Sequence, residues 1–336
     1  MKLVIIGNGF DMAHGLKSGY GNFKEYIQKN DIDEYEFLET LFGSDFNKDE
    51  FWWNFEESLS KNDFENFSES IELNNDDQRK NGFEDENCEE SNSSYFAEHI
   101  CRLKKMFCEW IYTINENEIN DESKKEKICT YFDDSIVMTF NYTSTVEELY
   151  GVNCFHIHGY IENVDLENEI GLDSIVLGHS FNLSLLGSND EEINSDDVYC
   201  VSDDGESIPF SDLSFVKVYN CSNSDYINDS LSNADSTYQQ IFTKRCNKII
   251  NEDNCGFFME LERNAKDIDE IIVLGHSISE IDRKYYEKIV DTIRKNNKTI
   301  KWIVSYYGGE EAKLILKNNL FKIDKNANPV FITIND

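Results

Sequence analysis

Residues 136–159 place polar side chains at the ends of two short apolar segments, and this pattern constrains the fold more than any other. An apolar run typical of a strand ends at Asn141, a short amphipathic helix follows, and a second predicted strand carries His156 and His158. In an open α/β sheet the ligand binds outside the carboxyl ends of the strands. We therefore predict an α/β fold in which Asn141 and His158 face a common ligand.

A glycine turn follows the first predicted strand, residues 2–6. Residues 7–11 read GNGFD, and a glycine pair at such a turn lets backbone N–H groups approach a phosphate or a ribose. The dinucleotide fingerprint is incomplete, because Met12 stands where its third glycine would be. A tight turn without a ligand is therefore an alternative of equal weight.

The last third of the chain alternates between strand and helix patterns. Strands are predicted at residues 271–274, 300–305 and 330–334, with helices at 281–294 and 309–317 between them. Such alternation predicts parallel strands joined by helical crossovers.

The hexapeptide IVLGHS occurs twice, at residues 175–180 and 272–277. The flanking residues of the two copies do not match, so we do not interpret the hexapeptide as an internal repeat. We predict two strands that end at the same edge of the sheet.

Composition changes along the chain suggest two insertions in one core. We predict a core of residues 1–19 and 133–336, with residues 20–132 as a helical insertion that contains an acidic loop at 63–94. Residues 182–235 are predicted to be a second acidic insertion, within the core.

The helical insertion carries three aromatic residues that are close in sequence, Trp52, Trp53 and Phe55. We predict that they are core residues. The alternative is that they form the roof of a nucleotide pocket.

The charge balance disfavours polyanionic partners. The chain has 66 acidic and 31 basic residues, a net charge of −35, which repels nucleic acid and anionic membrane surfaces alike. Neither a leader peptide nor a membrane span is evident in the sequence. Nine cysteines without a Cys-x-x-Cys pair fit reduced thiols in the cytoplasm better than disulfides or a structural zinc site.

His156 and His158 lie two residues apart on one predicted strand, so both side chains point to the same face and can bind a metal together. No third ligand is evident at a useful spacing, and we expect no metal. A purely structural role for His156 is an equal alternative. A serine hydrolase is disfavoured because the sequence Gly-x-Ser-x-Gly is absent.

Three motifs together resemble the AbiH family of bacterial abortive-infection proteins that act against phage: GNGFDMAHGL at the start, FNYTSTVEELY with HIHG in the middle, and GHSISEIDRKYY late in the chain. More distantly, their order resembles Sir2-like domains, which include NAD-consuming deacylases and NAD-hydrolysing defence effectors. This resemblance implies a Rossmann-like, mostly parallel sheet with helices on both faces, and NAD as the substrate.

By the same resemblance, Asn141 matches the catalytic asparagine and His158 the catalytic histidine. Thr143 stands where Sir2-like domains usually have Asp, and the missing carboxylate is expected from Asp11 or Asp282. The zinc-binding cysteine pairs of the deacylases are missing, which disfavours protein deacylation. The positions expected to contact the nucleotide are Gly7, Asn8, Gly9, Phe10, Asp11, Thr139, His156, Gly275, His276, Ser277 and Asp282.

The resulting hypothesis is an NAD glycohydrolase in phage defence, in which Asn141 orients the ribose or a water and His158 is the general base. The alternative is a nucleotide-sensing or interaction module that binds NAD or a related nucleotide without cleaving it. Uncontrolled NAD consumption harms the cell. We therefore expect control by a phage trigger, a defence-system partner or homo-oligomer assembly.

Overall fold

The structure is a computed structural model, and it divides the chain into two compact units. It describes residues 1–61, 88–180, 199–201, 207–209, 238, 241–244, 246–295 and 299–334. Unit 1 comprises Met1–Phe23, Phe107–Val176 and Cys246–Asp336, and unit 2 comprises Lys24–Met106 and Leu177–Arg245.

Unit 1 contains a six-stranded parallel sheet. In chain order the strands of the protein are β1 Lys2–Ile6, β2 Ser135–Thr139, β3 Phe155–His156, β4 His179–Ser180, β5 Tyr199–Val201, β6 Ser207–Pro209, β7 Thr243–Lys244, β8 Glu270–Leu274, β9 Lys301–Ser305 and β10 Val330–Ile332. The sheet has the order β3-β2-β1-β8-β9-β10, and all its neighbouring strands are parallel. This corresponds to the order 3-2-1-4-5-6 of doubly wound folds, which reverses direction between β1 and β8. The predicted Rossmann-like α/β fold is confirmed.

Apolar side chains cover both faces of the sheet, as expected for parallel strands. Leu3 and Ile5 belong to one buried cluster, and Val4 and Ile6 to another, because successive side chains of a strand point to opposite faces. The first cluster includes residues of the helices Phe257–Asn264, Arg283–Arg294 and Glu310–Ile323. The second includes residues of Asn8–Ala13 and Thr145–Tyr150. Continuous apolar strands between helical segments therefore account for the buried core of unit 1.

The remaining described helices are mostly short. They are Tyr20–Asn30, Ile32–Phe42, Asp49–Trp53, Phe55–Ser58, Cys88–Glu118 and Cys246–Glu252, with 3₁₀ turns at Gly43–Asp45, Leu59–Lys61, Asp121–Ser123, Glu126–Tyr131, Ile161–Asn163, Leu172–Ser174 and Glu280–Asp282.

Aromatic side chains form part of the core of unit 2. The rings of Trp52 and Phe55 stack with centroids 5.0 Å apart, and the Trp52 indole N–H donates to the carbonyl of Phe46 at 2.7 Å. Trp53, in contrast, is 76% exposed, so its prediction as a core residue is wrong. In a short helix successive side chains are about 100° apart, so Phe51, Trp52 and Trp53 cannot all face the same side.

The two copies of IVLGHS have different structures. Residues 272–277 include the end of β8 and its turn, as predicted. Within residues 175–180, only β4 is a strand, and it pairs with β7 in a separate two-stranded sheet of unit 2. The prediction that both copies end at one edge of the sheet is therefore wrong. The partners available in the tertiary structure decided the pairing, since the local sequence is the same.

The unit boundaries differ from the predicted domains. Residues 107–132, predicted in the helical insertion, belong to unit 1, whereas residues 24–106 and 177–245 form unit 2 together. Chain segments far apart in sequence thus share one unit, which composition alone does not reveal. Most of the predicted acidic loop 63–94 and insertion 182–235 lies outside the described residues, but residues 88–94 are helical.

No helix in the described part of the chain is long and apolar enough to cross a membrane.

Candidate functional site

The turns after β1 and β8 are hydrogen-bonded to each other at the point where the strand order reverses. The N–H of Gly7 donates to the carbonyl of Leu274 at 3.0 Å, and that of Gly9 to the carbonyl of Gly275 at 2.8 Å. The N–H of Phe10 donates to the carbonyl of Gly7 at 2.9 Å. These three N–H groups therefore have main-chain acceptors, and a ligand at this edge would be contacted chiefly by side chains.

Close packing explains the glycines of the two turns. Gly275 has φ +69°, and a Cβ atom there would lie 2.0 Å from the Phe10 nitrogen. A Cβ atom on Gly7 would lie 2.6 Å from Cδ2 of His276, and one on Gly9 would lie 2.8 Å from the carbonyl oxygen of Gly275. The glycines at these positions are thus explained by the close contact between the two turns.

Three of the predicted nucleotide contacts lie in different environments in the structure. The side-chain amide of Asn8 donates to the carbonyl of Ser18 at 2.8 Å. The ring of Phe10 is fully buried in the core beside Phe132. Ser277 is exposed.

His14, which follows the glycine turn, is a supporting residue of the core. Its Nδ1 lies 2.7 Å from the carbonyl oxygen of Phe10 and its Nε2 2.6 Å from the hydroxyl of Tyr150. Burial lowers the pKa of His14 below its usual value. Both ring nitrogens are thus engaged within unit 1.

Four polar side chains from the segments that follow β1 and β2 form what we call the Asp11 group: Asp11, Asn141, Thr143 and Thr145. The Thr143 hydroxyl donates to Oδ2 of Asp11 at 2.6 Å, and the Thr145 hydroxyl donates to that of Thr143 at 3.1 Å. The Asn141 amide donates to the carbonyl of Gly7 at 3.2 Å. All four side chains are buried, and Oδ1 of Asp11 and Oδ1 of Asn141 have no hydrogen-bond partner among the described residues.

Burial dominates the electrostatics of the Asp11 group. It raises the pKa of Asp11 from 3.8 to about 6, against the hydrogen bonds of Thr143, Thr145 and Asn141 and the charge of His156, which lower it. The carboxylate is therefore largely ionised at neutral pH and protonates in mild acid.

Thr139, His156 and Glu147 hold Asn141 in place. The N–H of Asn141 donates to the Thr139 hydroxyl at 3.0 Å, and Nδ1 of His156 lies 2.9 Å from the Asn141 carbonyl oxygen. The other ring nitrogen of His156 lies 3.0 Å from Oε1 of Glu147. Burial raises the pKa of Glu147, but the hydrogen bond and charge of His156 outweigh it, so the pKa lies below its usual value. Thr139 and His156, both predicted to contact the nucleotide, therefore support Asn141.

A second cluster, the Asp282 group, consists of His158, His276, Ser279 and Asp282. Oδ1 of Asp282 lies 3.8 Å from Nε2 of His158, and Oδ2 lies 3.3 Å from Nε2 of His276. The Ser279 hydroxyl donates to Oδ2 at 3.4 Å. The ring of Phe140 packs against both histidines, with centroids 5.1 Å from His158 and 4.3 Å from His276. The carboxylate of Asp282 thus lies beside two buried imidazole rings.

Ile278 holds His276 through a strained backbone. Its N–H donates to Nδ1 of His276 at 2.9 Å, so this nitrogen is an acceptor and the ring hydrogen of neutral His276 lies on Nε2, toward Asp282. Ile278 has φ +52°, a left-handed conformation that a β-branched residue rarely adopts. Backbone strain of this kind is frequent at functional sites.

Gly7 joins the two groups, because its carbonyl accepts from Asn141 and its α-carbon packs against His276. The structure therefore brings Asn141 together with Asp11, and His158 together with Asp282. The rings of His156 and His158 face different carboxylates, and the part of the chain that the structure describes contains no group of three potential metal-ligating side chains.

Sequence reasoning missed several supporting residues. Thr145 and Ser279 are polar residues in turn-rich segments without a distinguishing pattern, and Glu147 resembles any solvated residue of a short helix. Ser305 had a usable signal, since it ends β9 as Thr139 ends β2. Its hydroxyl accepts the N–H of Gly275 at 2.7 Å.

Comparison with known proteins supports a single assignment. A family model described as "Bacteriophage abortive infection AbiH" matches residues 3–306 and so covers all the residues of both groups. No curated protein and no solved structure matched the chain. The chain therefore belongs to the AbiH family, which supports a role in abortive infection against bacteriophage.

Proposed function

We propose that this AbiH protein hydrolyses NAD at the bond between nicotinamide and ribose. The proposal depends above all on one observation: Oδ1 of Asn141, a buried acceptor at the carboxyl end of β2, has no hydrogen-bond partner among the described residues. Buried polar atoms are normally hydrogen-bonded, so this unpartnered oxygen is available to accept a hydrogen bond from a ligand or a water. The neutral amide would accept a hydrogen bond from a ribose hydroxyl or from the attacking water.

His158 supplies the proton acceptor in this proposal. Its ring is 2% exposed, and its Nε2 lies 3.8 Å from Oδ1 of Asp282. The aromatic rings of Phe140 and Tyr285 pack against it, with centroids 5.1 and 5.5 Å away. His158 would take a proton from the water or a sugar hydroxyl, and Asp282 would stabilise the resulting charge.

The strand order supports the location of the site. Ligands of open parallel sheets bind outside the carboxyl ends of the strands where the strand order reverses. That point lies between β1 and β8, and Gly7, which contacts both polar groups, follows β1 directly. The resemblance of Asn141 and His158 to the catalytic pair of Sir2-like domains agrees with this location.

One observation favours the second candidate, a module that binds NAD or a related nucleotide without cleaving it. Asn141 and His158 belong to separate groups of contacts, each with its own carboxylate. A binding module requires only the hydrogen-bond acceptors of the Asp11 group. Hydrolysis requires the Asp11 group and the Asp282 group to act on one NAD molecule.

Incubation of the purified full-length chain with NAD separates the two candidates. We expect nicotinamide release that falls about 100-fold or more in both Asn141→Ala and His158→Ala, as is usual when a positioned proton acceptor is lost. Asn117→Ala, at an exposed asparagine, serves as the matched control and should be unaffected. The same variants should be compared for NAD depletion in phage-infected cells, where any trigger or partner is present.

NAD binding without nicotinamide release, in the purified protein and in infected cells alike, would establish the binding module and reject hydrolysis. Release that survives both substitutions would show that the reaction occurs elsewhere on the chain.

A further inference from the structure

We propose that Asp11 is a second ligand-binding residue, and that its carboxylate and the amide oxygen of Asn141 together accept the two vicinal hydroxyls of a ribose. This inference builds on the proposed function by assigning the residue that recognises the sugar. Asp11 lies in the first motif, 130 positions before Asn141.

Two neighbouring acceptors define what the Asp11 group can bind. Oδ1 of Asp11 and Oδ1 of Asn141 are both buried and have no hydrogen-bond partner among the described residues. The two side chains are close enough for the Asn141 amide to lower the pKa of Asp11, and Thr143, which donates to Asp11 at 2.6 Å, lies two residues after Asn141. An ionised carboxylate and an amide oxygen only accept hydrogen bonds, so a matching ligand presents two donors.

Vicinal hydroxyls fit this requirement better than the other common ligand groups. A phosphate presents acceptors and a negative charge, and it would be repelled by the buried carboxylate. A metal ion is disfavoured because no group of three potential metal-ligating side chains occurs among the described residues. A sugar diol offers two neutral donors on adjacent carbons. The ribose of a nucleotide therefore matches in charge and in number of donors.

Hydrogen bonds within the Asp11 group hold the Asp11 carboxylate in one orientation. Thr143 donates to Oδ2 at 2.6 Å, which fixes the orientation of the carboxylate and leaves Oδ1 for a ligand. Thr145 donates to Thr143 at 3.1 Å and fixes that hydroxyl in turn. A buried charge with an unpartnered oxygen is costly to folding, and such a cost is usual where the group serves a ligand. Thr143 is therefore a positioning residue that acts through Asp11.

Binding measurements on the full-length His158→Ala protein test the assignment without turnover. The probes are NAD and its two analogues whose nicotinamide ribose lacks the 2′- or the 3′-hydroxyl. We expect NAD to bind at least about tenfold more tightly than one or both analogues, because a missing hydroxyl leaves a buried acceptor unpaired. When Asp11→Asn is added, this preference should fall to within about twofold, as expected for a coupled pair.

Two further variants distinguish recognition from folding. Thr143→Val should reduce the preference without abolishing it, since the carboxylate remains but is less well oriented. It also provides the test if the Asp11→Asn protein does not fold. Asp173→Asn, at an exposed aspartate of the same unit, is the matched control and should keep the full preference.

A preference for NAD that survives Asp11→Asn in a folded protein would overturn the assignment, and so would the absence of any preference in His158→Ala. Hydrolysis is judged separately. If nicotinamide is never released but the hydroxyl preference depends on Asp11, the binding assignment holds and the hydrolase proposal fails. If nicotinamide is released, and neither the rate of release nor the preference for NAD over the analogues depends on Asp11, the hydrolase proposal holds and the binding assignment fails.

Discussion

Thr143 donates its hydroxyl hydrogen to Oδ2 of Asp11 at 2.6 Å, across 132 positions of sequence. Thr143 is the position at which the central motif departs from Sir2-like domains, where Asp is usual. The contact puts a carboxylate beside that position from a different segment of the chain. Of the two carboxylates expected to supply it, Asp11 contacts Thr143, whereas Asp282 faces His158 and His276.

The first prediction concerns the pH dependence of stability. Because the pKa of Asp11 is raised from 3.8 to about 6, the folded protein binds more protons than the unfolded chain between these values. The free energy of unfolding contributed by Asp11 therefore falls as pH rises through this window. Asp11→Asn removes this loss and should be more stable than the wild type above pH 6, by up to about 3 kcal/mol. The difference should shrink toward pH 4.

Urea unfolding of both proteins from pH 4 to pH 8 measures this difference, with Asp173→Asn as the exposed control. An Asp11→Asn protein that is less stable than the wild type at neutral pH would show that the carboxylate stabilises the fold.

The second prediction concerns the contact between the two glycine turns. Gly275→Ala would put a methyl group 2.0 Å from the Phe10 nitrogen at φ +69°, so we expect a loss of about 3 kcal/mol or more in stability. Gly21→Ala is the control, since Gly21 lies in the helix Tyr20–Asn30, where the added methyl group would meet no atom outside the local helix backbone within 4 Å. It should be neutral or stabilise by up to about 1 kcal/mol. Equal melting temperatures for the two variants would contradict the packing described for these turns.

The third prediction concerns the support of Asn141. Glu147→Gln removes the charge that faces His156 at 3.0 Å and should lower stability by about 1–3 kcal/mol at neutral pH. The folded-state pKa of Glu147 is depressed, so its contribution is present above its unfolded value of 4.5 and is lost as pH falls through the lower, folded pKa. The difference in free energy of unfolding between the wild type and the variant should therefore disappear in acid. Glu148→Gln, on the exposed face of the same helix, should show neither effect.

The fourth prediction concerns the charge that faces His158. Asp282→Asn keeps the size of the side chain but removes the charge that lies 3.8 Å from Nε2 of His158 and 3.3 Å from Nε2 of His276, so we expect a loss of about 1–3 kcal/mol in the free energy of unfolding at neutral pH. Urea unfolding measures this loss without requiring any activity. Asp291→Asn, at an exposed carboxylate of the helix Arg283–Arg294, is the control, and equal losses in both variants would reject a specific role for Asp282.

Local patterns predicted much of unit 1 correctly. The strands β1, β2, β8 and β9 are buried on both faces, so each appears as a continuous apolar run whatever its neighbours are. The predictions failed where partners far away in sequence decided the outcome. Two identical hexapeptides have different strand partners, and Trp53 is exposed beside the buried Trp52.

Local sequence patterns are sufficient to predict a parallel α/β sheet with polar residues after its strands, because side-chain periodicity and turn composition are local properties. Which of those polar residues contact one another depends on the folded chain. The tertiary structure pairs Asp11 with Thr143 and Asn141, and His158 with Asp282, and it shows that the glycines of the first turn pack against the turn of Gly275. These contacts depend on the order in which parallel strands lie side by side, and that order arises when segments distant in sequence bury their apolar faces together.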